Sequence, residues 1–275
     1  MKNRLIVAGV GIPALLAVIF FAPLWGWAVV VAVMASFSAW ELTHTVMGER
    51  FHARFGIYAG LAAAAIPLGT AFGFETVTVR AAMYALFFVL FLEMMISIER
   101  GGERLRFADV AVGMFGGVVI PLMLSALVRM GMHQPKAAFI LLTFVIVWIT
   151  DSGAFFVGSA LGKHKLAPHL SPKKSVEGAV GGLLAGVVGT LLFGLVLKLC
   201  GCWVHFGALA LCGLLGSVAG QLGDLAFSAI KRERGVKDYS NLLPGHGGML
   251  DRFDSTIFCA PLLELILLWL PAFGA

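Results

Sequence analysis

The chain has 275 residues, of which 60% are hydrophobic and only 13% charged, with a mean hydropathy of +0.95 and a formal net charge of +5. A soluble domain of this length would have too little polar surface, so that class is excluded and lipid is the expected solvent for most of the chain. No nucleic-acid partner is expected.

Apolar runs of about 20 residues, enough to cross a hydrocarbon core of about 30 Å, recur from end to end. Unsatisfied backbone is not tolerated in lipid, so each run predicts a helix. The expected fold is an all-α polytopic integral membrane protein with about nine spans, at 5–22, 25–46, 55–73, 79–98, 107–129, 137–161, 177–199, 203–230 and 255–273. The first begins beside Lys2 and Arg4, as a signal peptide would. No A-x-A cleavage site closes it, and a retained helix is expected. The first five spans, residues 1–135, read as scaffold, where Glu41, Glu93 and Glu99 near helix ends are expected to pair with loop arginines. Residues 136–275 read as the catalytic region, with four spans and two long polar loops, 162–176 and 231–254.

Within that region the sixth span carries Asp151, in Trp148-Ile149-Thr150-Asp151-Ser152-Gly153. The loop that follows holds Lys173 and Lys174, and Ser175 with Glu177 predicts a capped start for the seventh helix. The lysines suit either anionic lipid or nucleotide phosphate equally. Gly178, Gly181, Gly182, Gly186 and Gly189 make the seventh helix a close-packing surface. In the eighth, Asp224, Ser228 and Lys231 recur at i, i+4 and i+7, one polar stripe on an otherwise apolar helix. A carboxylate at membrane depth costs about 3 kcal/mol, so Asp151 and Asp224 each need a partner or a purpose. A structural ion pair with a lysine is the plainer purpose for Asp224; a metal or nucleotide site is the one preferred here. Glu264, among leucines in the ninth span, is expected to pair across helices. Cys200, Cys202, Cys212 and Cys259 lack zinc-site spacing and read as packing thiols.

Positive charge provides an independent test of the span count, because cytoplasmic loops accumulate Lys and Arg. Alternating nine spans places sixteen of the twenty Lys and Arg on one side and leaves Arg80, Arg129, Lys136 and Lys198 on the other. The expected topology has a cytoplasmic N-terminus, an external C-terminus and both long loops in the cytoplasm.

The segment from Ser228 to Asp254 is the densest in chemistry. Lys231, Arg232 and Lys237 can neutralise phosphate oxygens, and the turn Pro244-Gly245-His246-Gly247-Gly248 can let backbone N–H groups approach a phosphate. Asp251 and Asp254, three apart at the head of the last helix, share a face and could share a divalent cation. A loop made basic by topology, with the two aspartates as helix-capping charges, explains each residue singly but not the glycine-rich turn between the clusters.

The pattern Ser228-x-hydrophobic-Lys231-Arg232, Lys237-Asp238 and Pro244-x-His246-Gly247-Gly248-x-x-Asp251-Arg252-x-Asp254 resembles the signature of the phosphatidate cytidylyltransferases. Asp151-Ser-Gly-Ala-Phe, Ser171-Pro-Lys-Lys-Ser-x-Glu-Gly and Gly223-Asp224 are similar to the family's other blocks in order, with Ser152 and Phe155 where Thr and Tyr are common. The resemblance covers residues 140–260. It implies that phosphatidic acid in the membrane attacks the α-phosphorus of CTP to give CDP-diacylglycerol and pyrophosphate. It implies catalytic roles for Asp224, Asp251, Lys231 and Asp151. Asp224, Asp251 and Asp254 become ligands for Mg²⁺, with a second cation alongside. Substrate contacts are implied for Lys173, Lys174, Ser228, Arg232, Lys237, His246, Gly247, Gly248 and Arg252. An inner-membrane location with the site on the cytoplasmic side, and a homodimer, are further expectations. An ion-coupled transporter using Asp151, Asp224 and Glu264 would not need the glycine-rich loop. A CDP-alcohol phosphatidyltransferase would carry an Asp-Gly-x-x-Ala-Arg pattern that is not present. A dolichol-type lipid kinase would transfer the γ-phosphate instead.

Overall fold

The computed structural model describes the backbone of residues 2–50, 53–101, 104–242, 245 and 247–274, and among these the side chains from residue 9 onward except that of residue 49. The protein is helical, and it divides into two compact units, each described in turn.

The first unit comprises residues 1–129 and 233–253. Its helices are α1 (Lys2–Phe21), α2 (Leu24–Met47), α3 (Ala53–Ala71) and α4 (Glu75–Glu99), followed by α5 (Phe107–Met114), α6 (Ile120–Leu124) and α7 (Ala126–Met130). Helix α2 carries much of the buried surface, with Trp27, Ala28, Val31, Ala35 and Ala39 fully covered. The indole of Trp27 donates to the carbonyl of Leu127 at 3.1 Å, giving a buried backbone oxygen its partner. The fifth expected span, 107–129, is not one regular helix. A π-helical turn at Phe115–Val119 and a break at Ser125 interrupt it. Pro121 has no N–H to donate, and Gly117 lies so close to Ala59 that a Cβ there would come within 3.2 Å of its backbone. Ion pairs fix the polar ends: Arg50 with Asp109 (3.0 Å), Arg54 with Glu93 (2.8 Å), and Arg129 with Glu75. The pairing expected for Glu93 is therefore present.

The second unit comprises residues 130–232 and 254–275. It contains α8 (Lys136–Leu161), a hairpin of β1 (Lys165–Ala167) and β2 (Ser171–Ser175), α9 (Val176–Leu199), β3 (Trp203–Val204), α10 (Phe206–Glu233), α11 (Leu250–Trp269) from Asp254 on, and β4 (Phe273–Gly274) paired with β3. Ser175 caps α9 by accepting from Gly178 N (3.1 Å), as its sequence suggests. Glu177, in the first turn, accepts from the backbone of Lys163 and His164 and pairs with the His164 ring at 2.5 Å. These bonds close the hairpin against the helix start, so the segment expected as a plain loop is ordered as antiparallel strands. The eighth span begins later than expected because residues 203–204 pair with β4 and His205 Nδ1 accepts from Ala208 N (2.9 Å).

Glycines let α8 and α9 meet along their backbones. A Cβ on Gly182 would sit 2.8 Å from the carbonyl oxygen of Thr150, and one on Gly178 would sit 2.8 Å from that of Ala154. Neither contact can give way by a rotamer change. The Gly182→Ala variant should lose about 1–3 kcal/mol of stability; a lowered midpoint of unfolding in detergent would register it, and an unchanged midpoint would show that the helices part freely.

Six helical segments among the described residues have the length and apolar character of membrane spans: α2, α4, residues 107–130, α8, α9 and α10. The chain is an integral membrane protein on this evidence. Helices also occupy the positions of the first, third and ninth expected spans, at α1, α3 and α11. Helix α11 starts at Leu250, five residues before the expected span, for a reason given by its N-terminal contacts below.

Candidate active site

In the second unit the polar stripe of α10 is fully formed. Asp224 Oδ2 meets Lys174 Nζ at 2.5 Å, and Asp224 Oδ1 accepts from Ser228 Oγ at 3.2 Å. Lys174 is delivered by β2, so the hairpin holds a cation over a carboxylate on α10. Arg232 Nε, two turns further along α10, donates to Leu170 O at 3.2 Å and ties the hairpin tip to the same helix. Ser228 and Lys231 are buried, whereas the Asp224–Lys174 pair keeps about 30% of its side-chain surface exposed. An ion pair so placed remains open to solvent and ligands. Lys173, the neighbour of Lys174, points outward and is exposed.

Asp254, at 8% exposure, stands in the same unit. Its Oδ1 accepts from Ser255 N at 2.7 Å, and Asp224, Lys231 and Asp151 are close enough to act on its carboxyl through space. Helices α10 and α11 approach closely here, since a Cβ on Gly223 would lie 2.6 Å from Asp254 O. The preceding residue of α8, Thr150, shares a 2.7 Å hydrogen bond with Ser217 of α10, a buried hydroxyl pair that locks the two helices next to Asp151. Sequence reading missed this pair, although two hydroxyls in apolar spans were the available signal. Among the described residues no three His, Cys, Asp or Glu side chains converge on one point with metal-binding geometry.

In the first unit the segment between α10 and α11 is organised by two carboxylates. Asp251, at 7% exposure, accepts with Oδ2 from Tyr239 N and Gly248 N, both at 2.9 Å. Glu41 of α2 accepts from Ser240 Oγ (2.6 Å), Met249 N (2.9 Å) and Leu250 N (2.8 Å). Thr45, one turn along α2, donates to Tyr239 O at 3.2 Å. This is the reason α11 begins at Leu250: its first amides are satisfied by carboxylates, with the helix dipole adding to the attraction. The expectation that Glu41 pairs with a loop arginine is corrected by these contacts; among the described residues its recorded partners are a hydroxyl and two amides.

The glycines of the turn serve these carboxylates. Gly247 has φ +81° and a Cβ there would lie 2.9 Å from Asp251 Oδ2; on Gly248 it would lie 2.5 Å from Glu41 Oε2. The N–H of Gly248, expected to face a phosphate, is donated to Asp251. Lys237 and Arg252 are exposed on this segment. His246 and Pro244, part of the same expected turn, lie outside the described residues.

An apolar helical protein with a lysine-bridged carboxylate, a basic hairpin and a carboxylate-braced glycine turn has parts suited to binding phosphorylated ligands. Residues 2–270 match the cytidylyltransferase family, and the chain belongs to that family. It is 48% identical over 136 residues to a protein of Bacillus subtilis named phosphatidate cytidylyltransferase, an alignment covering 50% of this chain and 49% of that one. Proteins of the same name from Staphylococcus epidermidis and Staphylococcus aureus are 47% identical over 130 residues and 46% identical over 132, each alignment covering 47% of this chain and 49% of the relative. The chain spans about half the length of the curated relatives it matches.

Proposed function

We propose that this protein is a phosphatidate cytidylyltransferase. The observation that carries the reading is the α10 stripe, in which Asp224, Ser228 and Lys231 stand in an apolar bundle with Lys174 brought onto Asp224 from the hairpin. Family membership and the printed names of relatives 46–48% identical support it.

In the reaction a phosphate oxygen of phosphatidate attacks the α-phosphorus of CTP. The bond from that phosphorus to the α,β-bridging oxygen breaks, and pyrophosphate departs with the bond electrons. Negative charge accumulates on phosphate oxygens throughout, so catalysis rests on positioning and charge neutralisation. Lys174, Lys231, Arg232, Lys237 and Arg252 are assigned to phosphate oxygens, and Lys173, Ser228, His246, Gly247 and Gly248 to substrate, on the motif. The carboxylates Asp224 and Asp254, with Asp151 in electrostatic range, are hard oxygen donors of the kind Mg²⁺ takes. Their donor chemistry suits that ion, although among the described residues no three of them converge on one point; when bound, it would neutralise phosphate charge. Asp251 keeps its assignment as a further ligand, and a second cation is part of the same reading. Nine crossings, a cytoplasmic N-terminus and external C-terminus, an inner-membrane location with cytoplasmic chemistry, and a homodimer complete it.

The test is incubation of purified protein with phosphatidate, Mg²⁺ and CTP labelled either in the cytidine ring or at the γ-phosphate, followed by lipid extraction. Ring label entering the lipid phase, with γ-label leaving as pyrophosphate, is the expected result. Transfer of the γ-label to lipid would make the protein a kinase, and absence of both labels from lipid would overturn the assignment.

A further inference from the structure

We propose that Glu41 is a positioning residue for the reaction, acting through the segment Tyr239–Arg252; this rests on the nucleotidyl-transfer reading above. Glu41 is 3% exposed in the apolar helix α2, where an unpaired carboxylate would cost several kcal/mol. It is instead saturated from a segment about 200 residues away: Ser240 Oγ and Met249 N on Oε1, and Leu250 N on Oε2. Ser240 in turn accepts from Leu242 N at 3.1 Å, which extends the brace to the outer part of the loop. Asp251 holds the same segment through Tyr239 N and Gly248 N.

The consequence is a division of labour within the turn. The amides of Gly248, Met249 and Leu250 are occupied by carboxylates, so phosphate contact here rests chiefly on side chains, the exposed Lys237 and Arg252 among them. Those long cations are useful only if the backbone beneath them is fixed, and Glu41 fixes it. The absence of a side chain at Gly248 is the complementary half of the arrangement, because any Cβ would collide with the Glu41 carboxylate.

The inference is tested on the full chain in detergent or nanodiscs with Glu41→Gln, Glu41→Ala, Ser240→Ala and Gly248→Ala. For each, kcat and KM for CTP are measured, together with backbone hydrogen exchange over residues 239–252 and over the β1–β2 hairpin. Glu41→Ala should lose exchange protection in 239–252 while the hairpin keeps its own, and kcat/KM for CTP should fall about tenfold or more, chiefly through KM. Glu41→Gln, with one acceptor oxygen retained, should be intermediate, Ser240→Ala milder, and Gly248→Ala should reproduce the Glu41→Gln behaviour. A role confined to folding would lower kcat as active protein is lost and leave KM unchanged in every variant; that result, or wild-type kcat/KM in Glu41→Ala, overturns the proposal. If the wild-type chain forms no cytidine-labelled lipid, the parent reading fails, while exchange still decides whether Glu41 braces the loop.

Discussion

The Asp224→Asn variant should form cytidine-labelled lipid at a rate at least about 100-fold below wild type while remaining folded in the membrane. Asp224 meets Lys174 at 2.5 Å and accepts from Ser228, so its charge sets the electrostatics of the α10 stripe. The asparagine is nearly isosteric and keeps an acceptor for Ser228, which separates the loss of charge from the loss of shape. Lys174, released from its counter-ion, would then face the incoming phosphates in a different position. Unfolding midpoints within about 1 kcal/mol of wild type, with activity gone, identify the charge as the cause. Near-normal turnover would remove Asp224 from both the metal assignment and the lysine-positioning role.

Changes at Asp251 should cost as much activity but leave a different trace. Its Oδ2 takes two amides, Tyr239 N and Gly248 N, at 7% exposure. Asp251→Asn can retain acceptance through its carbonyl oxygen, whereas Asp251→Ala strands two buried donors at about 1–3 kcal/mol each. The expected order of stability is wild type, then Asn, then Ala. Activity in contrast should be lost in both, since both remove the carboxylate that the motif assigns to a cation. Activity in Asp251→Asn close to wild type would restrict the residue to bracing the loop.

Much of the fold was legible because lipid enforces a simple rule: apolar runs become helices. The positions of α2, α4, α8 and α9 follow directly from hydropathy, and the Ser175 cap from a hydroxyl before a glycine-rich helix. What was not legible arises where the chain departs from that rule. The π turn at Phe115–Val119 coincides with the close approach of Gly117 to Ala59, a distant contact, and the β3–β4 pairing joins Trp203 to Gly274 and Val204 to Phe273, far apart in the chain. The early start of α11 depends on Glu41, which no local signal connects to Leu250. At the site, periodicity correctly aligned Asp224, Ser228 and Lys231, since one helix determines their spacing. The partner of Asp224 was foreseeable only in kind, as a lysine. That it is Lys174, carried by a strand of the hairpin, required tertiary structure. The glycine turn was read as room for a phosphate; its glycines make room for carboxylates of the protein itself.

The seam between α8 and α9 has a mechanical meaning. Helices in contact through backbone have no side-chain rotamers with which to absorb added volume, so a methyl group at Gly182 has to push the two backbones apart. Helix α9 continues without interruption through Ser175 into β2, the strand that carries Lys174. The glycine seam and the ammonium group that meets Asp224 thus lie on one continuous stretch of chain, so the close fit of α9 on α8 bears directly on where β2 ends.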